Sequence, residues 1–399
     1  MNHPHTHRTA VFRSYICLLL LTACSYALMY GPQPMFNIIC QDLAVDRGHI
    51  GLLVSVFMLS LSISPLCVGL LLGRLGIRRA VYLSSGLLAL SGILLFGSTS
   101  FGQLLSVRIL QSILTPILLT SAMAGIAEVF RHFDMNRALA GFVTCSLLGA
   151  LAGRILGGYA AEAFGWRYAL TGICCFFIFC LLLARGIPQK IGGSAKVHKL
   201  RDYLLVLRQK GVAMLLFVEA CGIFTFAAIG NLIPLRMQEL GQGQSEGLIG
   251  FMYLGYSIGL IASLAFNPLK RLFGSRGRLL RAGALLFALS LSTLYPPSPW
   301  WVFGGLWLIA LGEFVVHSVA PGLINELATK SQQCDRGMVN GLFLSCYYLG
   351  GVLGSWLPGY LYARLGWLCC LASMVAVQIA SLFCVIVFVK TVFMPQGMR

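Results

Sequence analysis

Residues Gly149–Trp166 read GALAGRILGGYAAEAFGW, and the pattern returns 201 residues later as Gly350–Trp367, GGVLGSWLPGYLYARLGW. The glycines keep register: Gly149 with Gly350, Gly153 with Gly354, Gly158 with Gly359 and Gly165 with Gly366. A second echo has nearly the same offset. Gly69–Arg79 (GLLLGRLGIRR) corresponds to Asn267–Gly277 (NPLKRLFGSRG), with Gly76 on Gly274. A period of half the chain implies two structurally equivalent halves. In an apolar chain that organisation points to a transporter.

Composition supports the membrane. The 399 residues are 58% hydrophobic and 10% charged, with a mean hydropathy of +0.84; soluble domains carry about 25% charged residues. A membrane helix needs about 20 mainly apolar residues. Segments of that kind are expected at 15–38, 50–72, 80–98, 102–126, 138–160, 167–185, 211–233, 247–267, 279–296, 300–324, 337–358 and 367–389. We call them helices 1 to 12. The first run lacks a small-residue cleavage signature and is read as a retained helix. The polar stretch 186–210 separates six helices from six. The expected organisation is therefore an N-terminal half, 1–188, a cytoplasmic link, 189–210, and a C-terminal half, 211–399.

The net charge of +17 could suggest nucleic acid, but its distribution gives another cause. With the N-terminus inside, 23 of the 29 Lys and Arg fall in cytoplasmic segments and four (Arg47, Arg167, Arg236 and Arg364) in outer loops. Such a bias sets orientation, so both termini are expected in the cytoplasm. Most of the fourteen cysteines lie inside apolar runs and read as small core residues. The N-terminal MNHPHTHR reads as a cytosolic tail, not a metal site. No metal set, cofactor motif or catalytic constellation is expected. Gly255-x-Ser257-x-Gly259 fits a hydrolase elbow, but it lies in an apolar helical run where the required strand–turn–helix cannot form.

Three motifs resemble the major facilitator superfamily. Gly69, Leu71, Gly73, Arg74, Gly76 and Arg78 are similar to its G-x-L-a-D-r-x-G-r-r loop, with Gly73 where the family has Asp. Arg108-x-x-Gln111-Ser112 resembles R-x-x-q-G. Gly149-x3-Gly153-Arg154-x2-Gly157-Gly158 is similar to the antiporter motif G-x3-G-P-x2-G-G, with Arg154 in the Pro position. Tyr30-x-x-Gln33-Pro34, Glu219, Asn231, His317-Ser318 and Tyr347-Tyr348-Leu349-Gly350 resemble the 12-helix efflux branch that groups arabinose-efflux-like proteins with drug/proton antiporters. The resemblance implies an all-α membrane fold of two pseudo-symmetric six-helix bundles. It also implies secondary active transport of a small organic solute across the cell inner membrane by alternating access about a midplane cavity, as proton-coupled efflux, with uptake or facilitated diffusion by the same fold as the alternative; a monomer is expected.

The buried ionisable residues are the most informative, because a charge inside a span costs about 2.5–3.5 kcal/mol on insertion scales. Arg108 and Arg154 lie where long side chains could snorkel. Glu219 is too deep in helix 7 for that. Glu313 and His317 are i, i+4 on helix 10 and share a face, so an intrahelical pair is one reading and a site for a mobile proton the other. Proton-coupling candidates are thus Glu219, His317 and Glu313. Substrate-cavity candidates are Tyr30, Gln33, Arg108, Gln111, Asn231, Tyr256 and Tyr347, because polar atoms on aromatic or amide side chains in a span need partners. Gly69, Arg74, Gly76, Arg78, Gly153, Arg154 and Gly354 are candidates for gating. The glycines of helices 5 and 11 are expected to pack where the two halves meet. A channel would need a continuous polar pore, and a membrane sensor a soluble domain or long tail; the sequence offers neither.

Overall fold

The computed structural model describes residues 4–130, 135–183, 187, 200–241, 245–329 and 336–393; among them there is no β-strand. Each of the twelve expected apolar segments is largely helical over its described residues. Eight helices are individually long and apolar enough to cross a membrane, and a ninth span is a bent pair. The other three have physical reasons for escaping that count. Helix 6, Trp166–Leu183, is short. Helix 8 is interrupted: Glu246–Met252 passes into a 3-10 turn, Tyr253–Ser257, before Ile258–Leu264. Helices 11 and 12 run together as Arg336–Phe393, divided only at Gly366. The remaining helices include helix 1 within Phe12–Asp42, helix 4 at Phe101–Val129, helix 5 at Met135–Phe164, helix 7 at Lys210–Glu239 and helix 10 at Pro299–Thr329.

Two compact units form. One contains Met1–Val45, Leu66–Val197 and Gln244–Phe251; the other contains Asp46–Pro65, His198–Gly243 and Met252–Arg399. Most of the expected link falls outside the described residues; its end, Leu200–Leu207, is a short helix.

The repeat is visible in the backbone. Gly76 and Gly274 have φ of 75° and 72°, and Gly165 and Gly366 have φ of 87° and 80°. For Gly76 (ψ 157°) and Gly366 (ψ 177°) the conformation is essentially restricted to glycine. These are the positions the sequence repeat pairs.

The helix-5 and helix-11 glycines have two kinds of neighbour. Gly158 lies against Glu246 O of helix 8 and Gly351 against Met58 of helix 2, each in the other half of the sequence, as expected, whereas Gly149, Gly153, Gly350 and Gly354 seat each helix on a partner in its own half. A Cβ on Gly149 would lie 2.5 Å from the Ala23 Cα of helix 1, and one on Gly153 2.5 Å from the Ala27 Cα. In the other unit, a Cβ on Gly350 would lie 2.8 Å from the Ala220 Cα of helix 7, and one on Gly354 2.5 Å from the Phe224 Cα. Small residues let backbones approach this closely. Helix 1 on helix 5 is therefore the same joint as helix 7 on helix 11.

Candidate functional site

In the first unit the site begins with two prolines. Helix 1 contains Pro32 and Pro34, which have no N–H to donate. Pro32 leaves the Leu28 carbonyl without its helical donor, and the chain tightens into a 3-10 turn at Gln33–Met35. Arg108 of helix 4 supplies the donor missing at Leu28, Nη1 to Leu28 O at 2.9 Å, and its Nη2 donates to Met29 O at 3.0 Å. Nη1 also donates to Gln111 Oε1 at 3.1 Å, and Gln111 Nε2 donates to Ser91 Oγ at 2.9 Å. Arg108 is 0% exposed, so it does not snorkel; its guanidinium is spent on the helix-1 break.

Arg154, also buried and not snorkelling, meets the same break from helix 5. Its Nε donates to Gln33 Oε1 at 2.6 Å, its Nη1 to Ala150 O at 3.1 Å, and its guanidinium lies 4.2 Å from the Tyr30 ring centroid. The sequence candidates Tyr30, Gln33 and Arg154 thus form one cluster, and Arg108 with Gln111 forms another on the turn before it.

In the second unit helix 7 runs unbroken through Pro234, which strips Gly230's carbonyl of its donor. Tyr253 of the helix-8 turn donates its hydroxyl there at 2.6 Å. Asn231 donates to Ser355 O of helix 11 at 2.8 Å. Tyr256 stacks on Phe226, centroids 4.3 Å apart. Gln378, which the sequence reading missed, donates from helix 12 to Cys221 O and Thr225 Oγ1, both at 2.9 Å.

The chemistry-bearing group lies deeper. His317 does not pair with Glu313 along helix 10. Its Nδ1 instead meets Glu219 Oε2 of helix 7 at 2.7 Å, because the face of helix 10 that carries His317 is packed against helix 7. Glu219 is 1% exposed, whereas the His317 side chain is 33% exposed. The imidazole stands among Phe314, Phe343 and Tyr347, with Tyr347 closest at 5.1 Å between centroids. Glu219 Oε1 and Glu313 Oε2 are buried with no hydrogen-bond partner. Two buried carboxylates and a half-open imidazole can take up and release a proton.

The gate candidates separate. Arg74 and Arg78 are exposed, and Arg78 lies over Tyr82 at 5.8 Å. Gly69 sits within helix 2, and Gly76 caps helix 3. Among the described residues no group of three or more metal-binding side chains occurs.

The "Major Facilitator Superfamily" model matches residues 18–269 and, again, 215–395. The chain belongs to this superfamily. The inner membrane transport protein YnfM of Escherichia coli is 27% identical, over 86% of this chain and 82% of its own. The human MFS-type transporter SLC18B1 is 22% identical, over 84% of this chain and 76% of its own. Among solved structures, a mutant of the nucleoside transporter NupG covers 94% of this superfamily member and 99% of its own chain, with a TM-score of 0.77 at 11% identity; that likeness shows the fold. The chain is thus a multi-pass membrane transporter.

Proposed function

We propose that the protein is a secondary active transporter that exports a small organic solute across the cell inner membrane in exchange for protons, by alternating access. The observation that carries this reading is the Glu219–His317 pair. It joins a carboxylate 1% exposed to an imidazole 33% exposed, and ionisable groups are rare inside spans unless they serve a pathway or relay. In this reading the Tyr30–Gln33–Arg154 cluster, Asn231, Tyr256 and Tyr347 offer polar atoms to the solute. The Arg74–Arg78 loop serves the cytoplasmic gate, and the charge bias keeps both termini inside.

Purified protein in proteoliposomes, given a panel of labelled organic solutes, tests it. Saturable counterflow together with accumulation driven by an imposed pH gradient is expected. Counterflow that ignores the gradient would leave facilitated diffusion; no counterflow for any solute class would overturn transport of this kind. Reporter fusions after Arg201 and Phe393 should both report cytoplasm.

A further inference from the structure

Helices 7 and 10 are joined by two rungs one helical turn apart. In the first, Glu219 meets His317 at 2.7 Å. In the second, Glu313 lies against Gly222, three residues on from Glu219: a Cβ on Gly222 would sit 2.8 Å from Glu313 Oε1 and nearer still to Oε2. Residues three or four apart on a helix are neighbours, about 5–6 Å between Cβ atoms, so the two rungs are adjacent. The bare glycine is therefore a socket for the Glu313 carboxyl, and any side chain there would expel it.

The socket buries Glu313 Oε2, and no protein group donates to it. A buried acceptor without a donor is costly, and a buried like-charged neighbour adds to that. Glu219 and His317 are the charged groups that act on Glu313; Cys221 is its other titratable neighbour on helix 7, and Tyr347 of helix 11 stands against the imidazole.

We propose that Glu313, seated on Gly222, is a proton store at the closed end of the relay. It is protonated in this arrangement, and it loads and empties through Glu219 and the half-open His317. A proton taken up at the imidazole leaves through Nδ1 to Glu219, one O–H forming as the N–H breaks. It then passes to Glu313, the Glu219 O–H breaking as the Glu313 O–H forms. No other reactant is needed. On the store the proton removes one of two like charges and turns the orphaned oxygen into a possible donor. This deepens the proton-coupling reading above and rests on it, but its test needs neither a solute nor a gradient.

The test is infrared difference spectroscopy of the purified protein across a pH titration. The wild type should show, at neutral pH, a carbonyl stretch from a protonated carboxyl in a buried site. Glu313→Gln should remove that band and Glu219→Gln should keep it. Gly222→Ala should shift it or abolish it. A wild-type spectrum without the band overturns the store before any variant is made, and a band that survives Glu313→Gln overturns its assignment. A band that behaves as expected in a protein whose transport ignores the pH gradient would leave the store standing and sink the coupling reading.

Discussion

Helix 1 in the first half and helix 7 in the second are built alike and used differently. Each is seated on a glycine-lined partner, helix 5 or helix 11, and each carries a proline that strands a carbonyl, but only helix 1 is broken there, into a 3-10 turn. In the first half the stranded carbonyl of Leu28 is taken by a guanidinium, Arg108; in the second, that of Gly230 is taken by a phenol, Tyr253. Even the ends correspond. Asp42 accepts from Trp166 Nε1 at 3.0 Å and from Arg167 at 2.6 Å, and Glu239, 197 residues on, accepts from Arg236 at 2.6 Å and from Tyr362. The difference comes at the turn that carries Thr22 in helix 1 and Glu219 in helix 7. Thr22 closes a bond within its own helix, to Leu18 O, whereas Glu219 reaches across to His317. The first half thus uses the buried guanidinium of Arg108 to hold a helix break, and the second pairs a buried carboxylate with an imidazole across two helices.

The largest effect should separate the two caps. Arg108→Met removes the guanidinium donors from two buried carbonyls, at about 1–3 kcal/mol each, so a loss of about 2–6 kcal/mol is expected in denaturant or thermal unfolding in detergent. Tyr253→Phe orphans one, and about 1–3 kcal/mol should be lost. Equal losses would break the comparison.

The equivalence of the joints comes next. Gly153→Leu and Gly354→Leu each force side-chain atoms into a neighbouring backbone, and overpacking of this kind costs about 1–3 kcal/mol. The two variants should fall within about 1 kcal/mol of each other. A silent Gly354→Leu would show that helix 11 is not seated as helix 5 is.

A cost of the same order is expected at the strained turns. Gly76→Ala and Gly366→Ala impose a side chain on backbone that favours glycine, at about 1–3 kcal/mol. Gly73→Ala, with nothing within 4 Å of its Cβ position, should be neutral and serves as the control. The smallest effect belongs to the outer hubs. Asp42→Asn should cost about 0.2–1 kcal/mol and less in high salt, because its partner Arg167 is partly exposed.

Much of this was legible in the sequence. The twelve helices follow from apolar run length, and the 201-residue glycine register paired Gly149 with Gly350, Gly153 with Gly354 and Gly165 with Gly366 before any coordinates. What each glycine touches was not legible, because a small residue permits close approach without naming the partner; Gly153 could have met any neighbour, and it meets Ala27. Spacing along helix 10 suggested Glu313 as the mate of His317. The mate is Glu219, 98 residues away, and only the packing of helix 7 on helix 10 brings it there. Tyr253 was missed although the signal existed: Pro234 strands a carbonyl, and a buried tyrosine hydroxyl nearby was the obvious donor. Gln378 gave no such signal, since one polar residue in a late apolar helix does not reveal which helix it faces.

The central claim is that Glu219 in the second half, and not a charge in the first, couples transport to protons. Glu219→Gln keeps the shape and removes the titratable group. In proteoliposomes it should abolish accumulation driven by a pH gradient while counterflow of the same labelled solute continues at a rate near wild type. His317→Asn should flatten the pH dependence in parallel. Gradient-driven accumulation that survives Glu219→Gln at wild-type level would contradict the account.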